Sequence, residues 1–106
     1  MGVTVVRYQT KADRADENQA LIEKVFAELG ADQPEGLRYA SFRLADGVSF
    51  VHVAAADTAD GTNPLTQTTA FGAFLQEIGD RCEVAPAAAD ATVVGSYRFF
   101  AEPTNG

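Results

Sequence analysis

The chain has 106 residues, with 15 acidic against 8 basic ones and a formal charge of −7, a length that supports one hydrophobic core without staples. Its single cysteine, Cys82, excludes an internal disulfide and any cysteine-based zinc cluster. The negative balance, with Lys11 and Lys24 the only lysines, makes nucleic acid and an anionic membrane poor partners.

The first segment, Val3 to Gln9, is dense in β-branched and aromatic residues and reads as a strand. The period then changes. Leu21, Ile22, Val25, Phe26 and Leu29 are spaced as one face of a helix. Asp13 or Asp16 is placed to cap its entry, and Gly30 to supply the left-handed residue at its end. Pro34-Glu35-Gly36 turns the chain onward. Residues 37–45 and 48–55 are two strands around Asp46-Gly47, a pair favoured in a two-residue hairpin turn whose positions both need positive φ. Counting back from that turn pairs Arg43 with Phe50, Phe42 with Val51, Ser41 with His52 and Ala40 with Val53. Alternation then puts Ala40, Phe42, Leu44, Val51 and Val53 on one face, expected to lie under helices. Tyr39, Ser41, Arg43, Phe50 and His52 share the other face, expected to be mixed and polar.

Residues 56–63 read as a loop, and Asn63-Pro64 as a turn. Phe71, Phe74, Leu75, Ile78 and Cys82 predict a second helix that ends near the cysteine. Pro86 and its alanine-rich surroundings read as a connector, Thr92 to Phe100 as the last strand, and 101–106 as a frayed tail. No run approaches the ~18 apolar residues of a membrane span. Residues 1–9 lack the pattern of a secretory leader, and Val6 stands where myristoylation needs Ser or Thr. The expectation is one cytoplasmic domain over residues 1–106; its alanine and arginine bias suits a high-GC bacterial genome.

The order β-α-β-β-α-β is that of the split βαβ, ferredoxin-like arrangement: an α+β fold with an antiparallel sheet and two helices on one face. The other face would be bare, and a second copy of the chain is its simplest cover. The stretches Gly36 to Gly47, Phe50-Val51-His52-Val53 and Val94 to Phe99 resemble the dimeric α+β barrel superfamily. Within it the likeness is to the small antibiotic-biosynthesis-monooxygenase-like proteins, over roughly residues 3–100. The resemblance implies a homodimer of ferredoxin-like subunits, a small-ligand cleft between sheet and helices, and in the oxygenase members chemistry without a metal or cofactor. Those members hold an aromatic substrate with Asn, Trp or Tyr. This chain has no tryptophan, and no catalytic residue of the family maps onto one of its positions.

The residues that carry chemistry are few. His52 is the only group whose ordinary pKa lies near neutrality, which makes it the natural acid or base, with Tyr39 beside it to orient a substrate. The four predicted strands carry Arg7, Arg38, Arg43 and Arg98 and no acid, so Arg43 and Arg98 are placed to hold a carboxylate or phenolate. The plainer reading is that strands disfavour acids anyway. Phe42, Phe71 and Phe74 are candidate walls of an aromatic-binding cleft. Cys82 reads as a buried structural thiol. Asp57, Asp60 and Asn63 lack the spacing of a calcium loop. Two functions follow. One is an enzyme, a cofactor-independent oxygenase or a related isomerase or cyclase, acting on an anionic or phenolic aromatic compound. The other is a non-catalytic homodimeric binding module.

Overall fold

Residues 2–57 and 63–99 are described by the computed structural model. The β-branched first segment forms β1 (Gly2–Thr10), and the helical face that follows forms α1 (Ala15–Asp32). The hairpin gives β2 (Leu37–Arg43) and β3 (Ser49–Ala56), followed by α2 (Thr69–Leu75), α3 (Ile78–Arg81) and β4 (Cys82–Ala91). The sheet order is β2-β3-β1-β4, and every neighbouring pair is antiparallel. This is the expected ferredoxin-like α+β subunit.

The helix α1 starts between its two candidate caps, Asp13 and Asp16, and ends later than Gly30 implies. Arg14 occupies the N-cap without a side-chain capping bond, its guanidinium pairing with Glu17, and Asp13 lies in the short 3-10 turn that Arg14 ends. Gly30 is inside the helix, and Gln33 takes the left-handed closing position at φ 46°. The second helix is broken. Glu77 stands at φ 60° between α2 and α3, so Cys82 opens a strand rather than closing a helix. The start of α2 is held from outside: the Glu28 carboxylate of α1 accepts from the amides of Thr69 (3.0 Å) and Ala70 (2.8 Å). An acid at a helix start satisfies donors that have no partner in their own helix.

The hairpin register is the expected one, with Arg43 opposite Phe50, Phe42 opposite Val51 and Ser41 opposite His52. Its turn differs. The Gly47 amide donates to Leu44 and the Leu44 amide to Ser49, enclosing four residues, of which Gly47 has positive φ and Asp46 does not. The Asp46 carboxylate instead accepts from the amides of Val48 (2.9 Å) and Ser49 (2.8 Å) and from the Ser49 hydroxyl (2.6 Å).

The two faces of the hairpin are inverted relative to expectation. Phe50 (1% exposed) and His52 (5%) lie beneath the helices, with Tyr8, Ile22, Val25 and Phe74 in the same core. By alternation Ala40, Phe42, Val51 and Val53 belong to the opposite face, together with Val3, Val5 and Arg7 of β1. The polar atoms of Tyr39, Ser41 and His52 bond one another, so burying them leaves none unsatisfied.

The last strand is also displaced. The segment 82–91 pairs with β1, and 92–99 follows it outside the sheet, with Val94 fully exposed. Pro86 is tolerated because β4 is an edge strand, and it sits where the pairing shifts register between Arg7 and Gln9. The strands are therefore not free of acids: β4 carries Glu83 and Asp90 and lacks Arg98. Asp60 and Phe100, like residues 101–106, fall outside the described residues.

Candidate functional site

Strand alternation aims Val6 and Tyr8 of β1, Tyr39 of β2 and His52 and Ala54 of β3 at the helices. Leu65, Phe71, Phe74 and Ile78 roof them over. The space between is a cavity of about 210 Å³ with mostly apolar walls. The polar side chains Tyr8, Tyr39 and His52 border it from the sheet. Phe71 and Phe74 stack at 5.9 Å between ring centroids, and Phe74 lies 5.5 Å from the imidazole.

His52 is the centre of a buried hydrogen-bond chain. Its Nε2 is 2.8 Å from the Tyr8 hydroxyl, and its Nδ1 is 2.6 Å from the Tyr39 hydroxyl and 2.9 Å from Ser41 Oγ. Beyond Tyr8, Asn18 Nδ2 donates to the phenol oxygen at 2.8 Å. Arg81 Nε donates to Asn18 Oδ1 at 3.1 Å. The Arg81 guanidinium is buried, gives its remaining donors to the carbonyls of Gln76 and Phe74, and lies 5.3 Å over the Phe74 ring.

Burial sets the ionisation of these groups. Loss of solvation pushes His52 down to about 4, so the imidazole is uncharged at neutral pH. The same loss pushes the Tyr8 phenol up, with the Asn18 hydrogen bond acting weakly against it. Tyr39 is raised for the same reason, opposed by a hydrogen bond from Ser41. No charged neighbour contributes to the lowering at His52; burial alone accounts for it.

The structure brings His52, Tyr39, Phe71 and Phe74 together around one cavity, and places three expected residues elsewhere. Arg43 is on the same sheet face but at the rim, where it donates to the Gly47 carbonyl, Asp16 and Gln19. With Phe42 it borders a separate, more open groove of about 300 Å³. Phe42 cannot face Phe71 and Phe74 because it alternates with Ser41 and Arg43. Arg98 lies past the last strand, exposed, with its guanidinium over the Tyr97 ring.

Two residues of the hydrogen-bond chain were not singled out from the sequence, Asn18 and Arg81. Both had a readable signal. Asn18 stands four residues before Ile22 and seven before Val25, a polar side chain on an apolar helical stripe. Arg81 stands three residues after Ile78 and seven after Phe74, likewise a polar side chain on an apolar stripe.

No family profile matches the sequence, and no curated protein is a significant match. Solved structures do match. A Nitrosomonas europaea protein described as a candidate antibiotic biosynthesis monooxygenase superposes with a TM-score of 0.73 at 16% identity, over 90% of this chain and 100% of its own. The chain has its fold. A Caulobacter crescentus protein with the same description gives 0.67 at 22% identity, over 89% and 90% of the two chains. SnoaB of Streptomyces nogalater, a cofactor-independent oxygenase, gives 0.65 at 14% identity over 90% and 94%. Among the described residues no helix is long and apolar enough to cross a membrane.

Proposed function

We propose that the chain is a small-molecule enzyme of the cofactor-independent oxygenase type, acting on an aromatic compound of one or two rings with a phenol or an enolisable carbonyl. The observation that carries this reading is the half-open apolar cavity with an uncharged imidazole and two phenols at its wall. Phe71 and Phe74 hold the ring, Tyr39 orients its oxygen, and His52 takes up a proton through the hydroxyls bonded to it. Proton removal leaves an electron-rich anion. Such an anion reacts with dioxygen in an oxygenase, or is reprotonated at another atom in an isomerase. The fold shared with SnoaB supports the first outcome. The compound enters uncharged, since neither Arg43 nor Arg98 borders the cavity and an unpaired carboxylate in apolar walls is costly.

A second reading, a non-catalytic binding module, has one observation in its favour: both ring nitrogens of His52 are already bonded within the protein. Either reading includes a homodimer closed over the sheet face that carries Val5, Val53 and Phe42.

Oxygen uptake with 1-naphthol and 1-tetralone separates the two. Protein-dependent consumption that is lost in His52→Gln and Tyr39→Phe and kept in Arg43→Gln supports the enzyme. Binding of both compounds with neither oxygen uptake nor exchange of their carbon-bound protons for deuterium supports the module.

A further inference from the structure

The chain Arg81–Asn18–Tyr8–His52–Tyr39 has a direction, because one end of it can only donate. A guanidinium has no acceptor, so the Asn18 atom facing Arg81 Nε must be its carbonyl oxygen. The other Asn18 atom, 2.8 Å from the Tyr8 hydroxyl, is therefore the amide nitrogen, and it donates to the phenol oxygen. Tyr8 is 2% exposed, and His52 Nε2 is the acceptor within reach of its own hydrogen. Donation from Tyr8 to Nε2 leaves that nitrogen bare and puts the imidazole proton on Nδ1. The opposite tautomer would point two hydrogens at each other or strand the Tyr8 hydrogen in the core, where an unmade bond is disfavoured. With Nδ1 protonated, Tyr39 cannot give its hydrogen to His52. It accepts at 2.6 Å instead, and Ser41 Oγ, itself 2.9 Å from Nδ1, donates to the same phenol oxygen.

We infer that Arg81, acting through Asn18 and Tyr8, fixes the proton of His52 on Nδ1 and leaves the Tyr39 hydroxyl as a donor to an acceptor oxygen of the ligand, a carbonyl above all. Asn18 and Arg81 are positioning residues: they touch no ligand and act through the tautomer. The ligand half of the inference rests on the cavity being the binding site; the tautomer half does not.

The single histidine makes the test direct. In untagged, ¹⁵N-labelled protein at neutral pH, a two-bond ¹H–¹⁵N correlation of the imidazole reads which nitrogen carries the proton. The expected pattern is Nδ1–H. Asn18→Asp, of the same shape, replaces the donor facing Tyr8 with an acceptor. Tyr8 then donates to residue 18, accepts from Nε2, and the tautomer reverses. Tyr8→Phe removes the donor at Nε2 without touching Asn18, and should shift the pattern toward Nε2–H even if the Asp variant folds poorly. An Nε2–H wild type, or a Tyr8→Phe spectrum identical to wild type, overturns the inference. For the ligand half, 1-tetralone is titrated beside tetralin, which has the same rings and no oxygen. A preference for the ketone of tenfold or more, lost in Tyr39→Phe, supports the outward donor, and a preference that survives that change overturns it. If neither compound binds, the cavity reading and the ligand half fall together, while the spectrum still decides the relay.

Discussion

At His52 the fold and the proton compete for the same side chain. In the unfolded chain the imidazole titrates near 6.5; in the core its pKa is about 4. The folded value is the lower one, so the unfolded state binds the extra proton. Stability is complete above about pH 6.5 and falls as the pH drops from there toward 4, by about 3 kcal/mol at most. Glu17 and Asp46, both held below the ordinary carboxylate range by hydrogen bonds, act at lower pH, so the upper part of the window belongs to His52. Denaturant unfolding at pH 7.5 and 5.0 should show the loss in the wild type and little of it in His52→Gln. The same burial decides the cost of aromatic truncation. Phe50→Ala should destabilise by about 3–5 kcal/mol as a core cavity, and Phe42→Ala, on the face without helices, by clearly less. Equal costs in chemical denaturation would contradict the placement of the faces. The sequence shows His52 and Tyr39 as neighbours because register alone makes them so. It hides the rest of the relay, because the bonded pairs Tyr8–Asn18 and Asn18–Arg81 are 10 and 63 residues apart along the chain and meet only through packing.

The elements divide into those set by local chemistry and those set by tertiary pairing. The hairpin register is legible because a short loop fixes it by counting, and the count survives a different turn type. Which face is buried is not legible. Both faces carry large apolar groups, and hydroxyls that bond a histidine look like a solvated surface until their partners are known. The last strand is a sharper case. Residues 92–99 have the β-branched and aromatic texture of a strand, whereas 82–91 are rich in alanine and contain a proline. Yet 82–91 lie beside the free edge of β1, and pairing there overrides propensity. Two glycines test the element assignments. Gly47 stands at φ +81° in the hairpin loop with open space around it, so Gly47→Ala meets backbone strain alone and should cost about 1 kcal/mol. Gly30 lies inside α1, also in open space, and Gly30→Ala should stabilise by roughly 0.5–1 kcal/mol. Opposite signs in thermal unfolding are the expected result; a destabilising Gly30→Ala would return the helix end to Gly30.

For the whole molecule the decisive surface is the sheet face opposite the helices. Its central row runs Ala40, Val53, Val5 and Ala89 across all four strands, with Phe42 and Val51 in the next row. These are mostly apolar groups, with Arg7 opposite Val51 in that second row and Arg38 on the edge strand β2. The segment after β4 adds Val93, Val94 and Tyr97, which are 61%, 100% and 81% exposed. Among the described residues nothing packs over either apolar feature, and the proposed second copy would account for both. In the proposed homodimer the sheets would close face to face, and the strand-like 92–99 segment would find an edge on the partner. Phe50, which sequence reasoning places at this contact, is instead in the core, so a charge there reports on folding and not on association. The informative position is Val53, central in the sheet and opposite Val5. Sedimentation of the wild type at micromolar concentration should give twice 11.2 kDa. Val53→Glu should give a folded species of half that mass, because a carboxylate at the centre of a closed sheet interface is buried without a partner. Val94→Asp should weaken association less, since it disturbs only the arm. A monomeric wild type, or a Val53→Glu variant that remains dimeric, would remove this face as the contact and leave the cavity beneath the helices as a site complete within one chain.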